Sequence, residues 1–265
     1  VDARFDGQAV FITGAARGMG RSHALAFAAE GADLVLSDIG APEMVAALAE
    51  TAVECEERGA TVLREAVDVR DLDGMVAFAG RALEAFGKLD VLVANAGIFM
   101  PGRLVDLKPE EFAKVMDVNV TGTWNTIKAV VPSMAERGYG RVVLIGSTAS
   151  LEGGPGTGGY STSKHAVLGL TRNLALDHGG DGVTVNCVCP SVTETKMMDS
   201  DTAYELVSPD DPTREATIEI FQSLHPVGRP WLEPEEVSRV VLFLAAEESK
   251  GITGAEYKVD LGLTL

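Results

Sequence analysis

Cysteine is scarce: 265 residues contain three, Cys55, Cys187 and Cys189. Three thiols cannot all pair within one chain, so a disulfide framework is excluded and a reducing, cytoplasmic setting is expected. They also lack a second paired cluster at metal-ligand spacing, so no metal site is expected and buried strand cysteines are the reading for Cys187 and Cys189. Basic residues are few as well. Lys and Arg total 22 against 39 Asp and Glu, a formal charge of −17, and a polyanion of that size repels nucleic acid and anionic lipid surfaces. No apolar run approaches the ~18 residues of a membrane helix. The stretch from Val1 lacks the basic-then-apolar pattern of a secretory signal. Aromatics make up only 6%, yet hydrophobic residues reach 46% and charged residues 23%, the balance of an ordinary globular chain rather than a disordered or fibrous one. With no internal repeat and no low-complexity linker, residues 1–265 read as a single domain.

What is present is alternation. Residues 9–13, 34–37, 91–94, 142–145 and 183–188 are continuous β-prone apolar runs, the pattern of strands buried on both faces. Between them lie helix-like segments at 19–30, 42–58, 72–86, 109–135, 161–178 and 234–246, with Pro42, Pro109 and Pro234 at helix starts. This order predicts an α/β fold: a Rossmann-type, doubly wound parallel sheet with helices on both faces. Residues 196–230 break the pattern. They are polar and carry Pro209, Pro212, Pro226 and Pro230 directly after a strand end, so they are expected to form a substrate lid or small helical insertion.

The first strand runs into Gly14-Ala15-Ala16-Arg17-Gly18-Met19-Gly20 and then into a helix. Glycines there permit a sharp turn and close approach of a pyrophosphate, and the helix N-terminus offers unpaired N–H groups to it. Asp38 ends the second strand, 18 residues after Gly20, where a carboxylate accepts from adenosine ribose hydroxyls. It also repels a 2′-phosphate, by roughly 4 kcal/mol at about 4 Å and an effective dielectric near 20. Ile39 follows where a phosphate binder would place a cation. Arg17 argues the other way and is outweighed by Asp38, so NAD is the expected cofactor.

Tyr160 and Lys164 stand four apart on a predicted helix, which puts them on one face. A glycine-rich loop precedes them, and Ser147 lies 13 residues upstream at a strand end. A phenol beside an ammonium is suited to passing a proton to or from an alcohol oxygen, with a serine hydroxyl orienting that oxygen.

Taken together, these motifs resemble the short-chain dehydrogenase/reductase family over nearly the whole chain. The resemblance implies a tetrad of Asn119, Ser147, Tyr160 and Lys164: Tyr160 as acid/base, Lys164 binding the nicotinamide ribose and favouring the phenolate, Ser147 orienting substrate, and Asn119 holding a helix kink and a proton-relay water. It further implies nucleotide contacts from Asn95-Ala96-Gly97, from Asp68 and Val69 to the adenine, and from Pro190, Ser191, Thr193 and Thr195 beside the nicotinamide. Two departures stand out. Pro190-Ser191 replaces the usual Pro-Gly, and Val259-Asp260-Leu261-Gly262 replaces Val-Asp-Gly-Gly. Trp124-Asn125-Thr126, Lys164-His165-Ala166-Val167 and Trp231-Leu232-Glu233-Pro234-Glu235 resemble the carveol-dehydrogenase-like branch, which implies a cyclic, terpenoid-type secondary alcohol. The family also implies a homotetramer, with helices 109–135 and 161–178 at one interface and Trp124 packed there. Competing readings are a 3-oxoacyl-thioester reductase and a non-catalytic dinucleotide sensor or scaffold. Among the remaining groups, His165 and His178 read as structural and His23 as solvent-facing. His225 belongs to the lid, and residues 54–57 are a solvated acidic helix end.

Overall fold

The computed structural model describes residues 3–265. One sheet of seven parallel strands runs through it: β1 (Ala9–Thr13), β2 (Asp33–Asp38), β3 (Val62–Ala66), β4 (Val91–Ala94), β5 (Gly140–Ile145), β6 (Val183–Pro190) and β7 (Glu256–Val259), in the order β3-β2-β1-β4-β5-β6-β7. The five apolar runs are the five inner strands. The two edge strands escape that reading because Arg64 and Ala66 on β3, and Glu256 and Lys258 on β7, face solvent, which breaks the run. Register with an inner neighbour makes them strands, with Leu34 opposite Val62 and Val188 opposite Tyr257.

The pleat sends alternate side chains to opposite faces, and each face is covered by helices. Val10 and Ile12 meet a layer built from α1 (Gly18–Ala29) and α2 (Pro42–Glu56), while Phe11 meets α3 (Leu72–Phe86) through Phe78. Proline occupies the first turn of α2, of α4 (Pro109–Met116) and of α9 (Pro234–Ala245), where its missing N–H costs nothing. Asp71 caps α3 by accepting the Gly74 N–H at 3.0 Å.

The predicted 109–135 helix is two helices. After α4, a π turn spans Asp117–Thr121 and leads into α5 (Gly122–Arg137), and the Gly122 N–H reaches back five residues to the Asp117 carbonyl. The wide turn re-aims one residue of the rod, Asn119, into the protein. Next, α6 (Gly158–His178) covers the same face as α3 and α5. Residues 196–230 fold around two short helices, α7 (Asp201–Val207) and α8 (Arg214–Leu224). A parallel bridge between Thr193 and Leu232 ties the two ends of this excursion: Glu194 N–H donates to the Leu232 carbonyl and Leu232 N–H to Val192, both at 2.9 Å. No described helix is long and apolar enough to cross a membrane.

Candidate active site

The strand order reverses between β1 and β4, and the C-terminal ends of these strands open a crevice there, the place where parallel α/β sheets take ligands. The turn after β1 forms its floor. Asn95 Nδ2 donates to the carbonyls of Thr13 and Gly14 at 3.0 and 3.1 Å, and Thr13 Oγ1 accepts the N–H groups of Asn95 and Ala96 at 3.1 Å each. The packing leaves no room at Gly20, where a Cβ would lie 1.9 Å from the Gly14 carbonyl oxygen, and Gly18 holds a left-handed φ of +55°. The N-terminus of α1 has no side-chain cap and no acidic residue in its first turn. Asp38 sits beside it, and exposed Ile39 follows. Arg17 is exposed at the mouth of the turn.

On the far side of the turn, Asp68 is held by Arg70, whose Nη2 lies 2.6 Å from its Oδ2, and this pairing keeps the Asp68 carboxyl below the usual carboxylate range. Val69 is buried, and Asn125 Nδ2 from α5 donates to its carbonyl at 2.9 Å.

Ser147, Tyr160 and Lys164 line one cleft of about 910 Å³ together with Met19, Asn95 and Gly97. Ser147 follows β5 and starts a short 3-10 turn. Its Oγ accepts the Ala149 N–H at 3.1 Å, which leaves the hydroxyl proton free to donate. Tyr160 and Lys164 come from the first two turns of α6. The Lys164 ammonium is buried, donates to the Ile145 carbonyl at 2.8 Å, and lies 5.7 Å from the centre of the Tyr160 ring. Asn119 stands behind the cleft rather than in it. It is 1% exposed; its Oδ1 accepts the Ile98 N–H at 2.8 Å and its Nδ2 donates to the Ile98 carbonyl at 2.9 Å.

The loop after β6 closes the cleft. Pro190, Ser191, Thr193 and Thr195 all line it, with Val192, Met197 and Met198. The Ser191 N–H is tied to the Val259 carbonyl and its carbonyl accepts Thr193 Oγ1, while its own Oγ is buried without a partner. The Thr195 methyl lies 3.3 Å from where a Gly18 Cβ would be, so the loop after β6 packs close to the glycine turn. Farther out, Arg214 pairs with Glu194 at 2.8 Å and with Asp199, and covers the Trp231 ring.

One expectation is corrected. His23 does not face solvent: α9 crosses α1 there and leaves it fully buried, Nδ1 sharing a 2.8 Å hydrogen bond with Ser238 Oγ and Nε2 unpartnered. Burial pushes its pKa down to about 3. Trp124 stands 44% exposed on α5, with the Lys128 ammonium over its ring. His225 is buried, stacks on Phe221 and pairs with the Arg229 carbonyl, outside the cleft lining. Cys187 and Cys189 are buried side by side on β6 as expected, with their sulfurs 3.8 Å apart. Among the described residues no cluster suits a metal.

A family profile described as enoyl-(acyl carrier protein) reductase matches residues 14–264. (−)-trans-Carveol dehydrogenase of Rhodococcus erythropolis is 41% identical over 276 residues, covering 99% of both chains. The crystal structure of a short chain dehydrogenase from Mycobacterium paratuberculosis bound to NAD superposes with a TM-score of 0.89 at 37% identity, over 98% of this chain and 99% of that one. The chain belongs to the short-chain dehydrogenase/reductase family. Carveol dehydrogenase from Mycobacterium avium in complex with NAD is similar in structure too, with a TM-score of 0.95 at 36% identity and 98% coverage of each chain.

Within this short-chain dehydrogenase/reductase, sequence reading missed the residues that finish the cleft. Phe99 packs its ring against Tyr160 at 5.1 Å between centroids and 85° between planes. Ser163 Oγ accepts from Asn119 Nδ2 at 2.9 Å and donates to the Tyr160 carbonyl at 2.7 Å. Phe99 lies two residues past the Asn-Ala-Gly element and Ser163 inside the Tyr-to-Lys turn. Position next to known motifs was their only signal.

Proposed function

We propose that this protein is an NAD-dependent oxidoreductase that interconverts a secondary alcohol and its ketone. The observation that carries the reading is the convergence of Ser147, Tyr160 and Lys164 on one cleft that continues into the glycine turn. The residues fit a dinucleotide. The uncapped α1 N-terminus supplies N–H groups and positive potential for the pyrophosphate. Asp38 presents its carboxylate for ribose hydroxyls and opposes a 2′-phosphate. Gly97 keeps the nicotinamide end open: a Cβ there would lie 3.3 Å from Asn119 Oδ1 and 3.6 Å from Lys164 Nζ. Asp68 and Val69 would border the adenine, and Pro190, Ser191, Thr193 and Thr195 the nicotinamide. The bound nicotinamide supplies the hydride acceptor for oxidation, or the donor for reduction.

The chain's own residues handle the proton. Ser147 donates its free hydroxyl proton to the substrate oxygen and orients it. Tyr160, as phenolate, takes the alcohol proton; in the reverse direction its phenol returns it. The Lys164 ammonium has one proton committed to Ile145 and two to spare, so it stabilises negative charge on the phenolic oxygen and would hold the ribose of a bound nicotinamide nucleotide. Asn119 supports the site from behind through the Ile98 main chain.

Phe99, Ala149, Val192, Met197 and Met198 give the substrate end apolar walls, and the cleft lining contains no arginine. This favours a compact, uncharged, cyclic or terpenoid-type alcohol over a 3-hydroxyacyl thioester. The complete tetrad argues against a non-catalytic sensor. Trp124 on α5 and Leu176 on α6, 44% and 83% exposed, support a homotetramer that covers these helices, and three free buried cysteines suit the cytoplasm. The test is an NAD-reduction screen over cyclic, aromatic and aliphatic secondary alcohols with 3-hydroxyacyl thioesters included. The expected result is turnover of a cyclic alcohol with NAD; turnover confined to thioesters, or to NADP, overturns the assignment.

A further inference from the structure

Tyr160 is gripped at two places, and the two grips belong to one closed circuit. On the main-chain side, its carbonyl accepts Ser163 Oγ, and that oxygen accepts Asn119 Nδ2. Asn119 in turn clamps both main-chain groups of Ile98, as a neighbouring strand would. The next residue, Phe99, returns to the start: its ring meets the Tyr160 ring edge-on. The π turn supplies Asn119, α6 supplies Ser163 and Tyr160, and the loop after β4 supplies Phe99. Asn119 and Ser163 are both buried, so water does not compete for the two hydrogen bonds that link them to Tyr160.

From this geometry we infer that Phe99 is a positioning residue for the acid/base, fixing the phenol ring of Tyr160 while Asn119 and Ser163 fix its backbone. The inference rests on the proton-transfer role proposed for Tyr160. A tyrosine ring on a helix rotates about two side-chain bonds, and a main-chain hydrogen bond restrains neither. The side-chain restraint has to come from ring contacts. Phe99 provides an aromatic one at 5.1 Å, with the interplanar angle of 85° that edge-to-face pairs prefer. The ammonium of Lys164 lies 5.7 Å from the same ring centre, so a ring free to swing would lose its alignment with that charge. Phe99 also lines the cleft, and one side chain thus serves as wall and as brace.

The experiment compares Phe99→Leu and Phe99→Tyr with the wild-type chain. Phe99→Leu keeps an apolar wall and removes the aromatic contact; Phe99→Tyr keeps the contact. Expected for Phe99→Leu is a kcat lowered about three- to tenfold, the span of an edge-to-face pair, with substrate KM and NADH Kd within about twofold of wild type. Phe99→Tyr, which keeps the ring contact, recovers most of the kcat lost in Phe99→Leu. NMR of ¹³C-labelled tyrosine ring carbons, with the Tyr160 signal assigned by Tyr160→Phe, reads the brace without turnover. In Phe99→Leu the Tyr160 ring flips faster, while Tyr139, Tyr204 and Tyr257 are unchanged. A loss confined to KM makes Phe99 a wall only, and unchanged Tyr160 ring dynamics removes the brace; either result overturns the inference. Full turnover by Tyr160→Phe would instead defeat the proton-transfer reading, and the ring-flip measurement would still judge the grip of Phe99.

Discussion

Asp38 Oδ2 accepts the Ala16 N–H at 2.9 Å, which holds the carboxylate at the end of β2 against the glycine turn. Its Oδ1 accepts the Ile39 N–H at 2.8 Å. Two backbone hydrogen bonds fix the acid from opposite sides, so its negative charge is part of the turn rather than a side chain able to swing aside. A cofactor with a 2′-phosphate meets that charge on every approach.

Removing the charge is therefore expected to relax the choice between NAD and NADP. Asp38→Asn retains an acceptor for the Ala16 N–H, and Asp38→Ala does not. Both should raise the ratio of kcat/KM with NADP to that with NAD at least tenfold, about 1.4 kcal/mol. Asp38→Ala should also lose stability, because the Ala16 N–H is left without its partner. Steady-state kinetics with both cofactors checks this, and an unchanged ratio means that the ribose is read elsewhere.

The glycine turn and a surface glycine give opposite expectations for the same substitution. Gly20→Ala puts a methyl 1.9 Å from the Gly14 carbonyl oxygen, so the turn has to move. NADH binding should weaken at least tenfold and the melting temperature should fall by several degrees. Gly80→Ala on α3 meets nothing within 4 Å and gains helix propensity, so it should be neutral or stabilising by up to about 1 kcal/mol. Fluorescence titration of NADH and thermal melts on both variants decide the pair.

Much of this was legible beforehand, for physical reasons that also mark its limit. Inner strands announce themselves because both faces are buried and most residues are apolar, as in residues 9–12. The glycine turn and the place of Asp38 beside it were legible because a tight strand-to-helix turn demands glycine at fixed positions and the second strand ends a fixed distance after it. β3 and β7 were not, since their side chains answer to solvent on one side and only pairing makes them strands. The π turn was legible only through the family resemblance, which implied a kink at Asn119, because residues 109–135 themselves carry an ordinary helical pattern and the extra residue shows only in hydrogen bonding. His23 was misjudged because polarity suggested solvent, whereas the crossing of α9 over α1 decides its burial. Phe99 and Ser163 carry no chemical signal of their own in the sequence; only the fold brings them to Tyr160.

The buried His23 predicts an acid-sensitive fold. Burial holds its pKa near 3 in the folded chain, against about 6.5 when unfolded. Below pH 6.5 the unfolded state binds a proton that the folded state refuses. Stability is therefore intact above about pH 6.5 and falls as pH drops toward 3, by up to about 1.4 kcal/mol per pH unit from this group. His23→Gln should show a shallower loss between pH 6.5 and 4.5 in urea denaturation. An identical slope would place the acid sensitivity in other groups.

Trp124 on α5 and Leu176 on α6, 44% and 83% exposed, mark the helices expected to be covered by another copy. Light scattering at micromolar concentration should give four times the 27.8 kDa chain mass. Trp124→Glu should give a smaller assembly. A monomeric wild-type mass contradicts the expectation.

If the Tyr160 phenolic oxygen carries the proton, Tyr160→Phe removes that oxygen while keeping the ring and its contact with Phe99. With a substrate alcohol and NAD at saturation, kcat should fall at least a hundredfold, the low end of general acid–base contributions, while the NADH Kd stays within about threefold of wild type. Turnover of Tyr160→Phe at the wild-type rate would mean that the proton moves through another group.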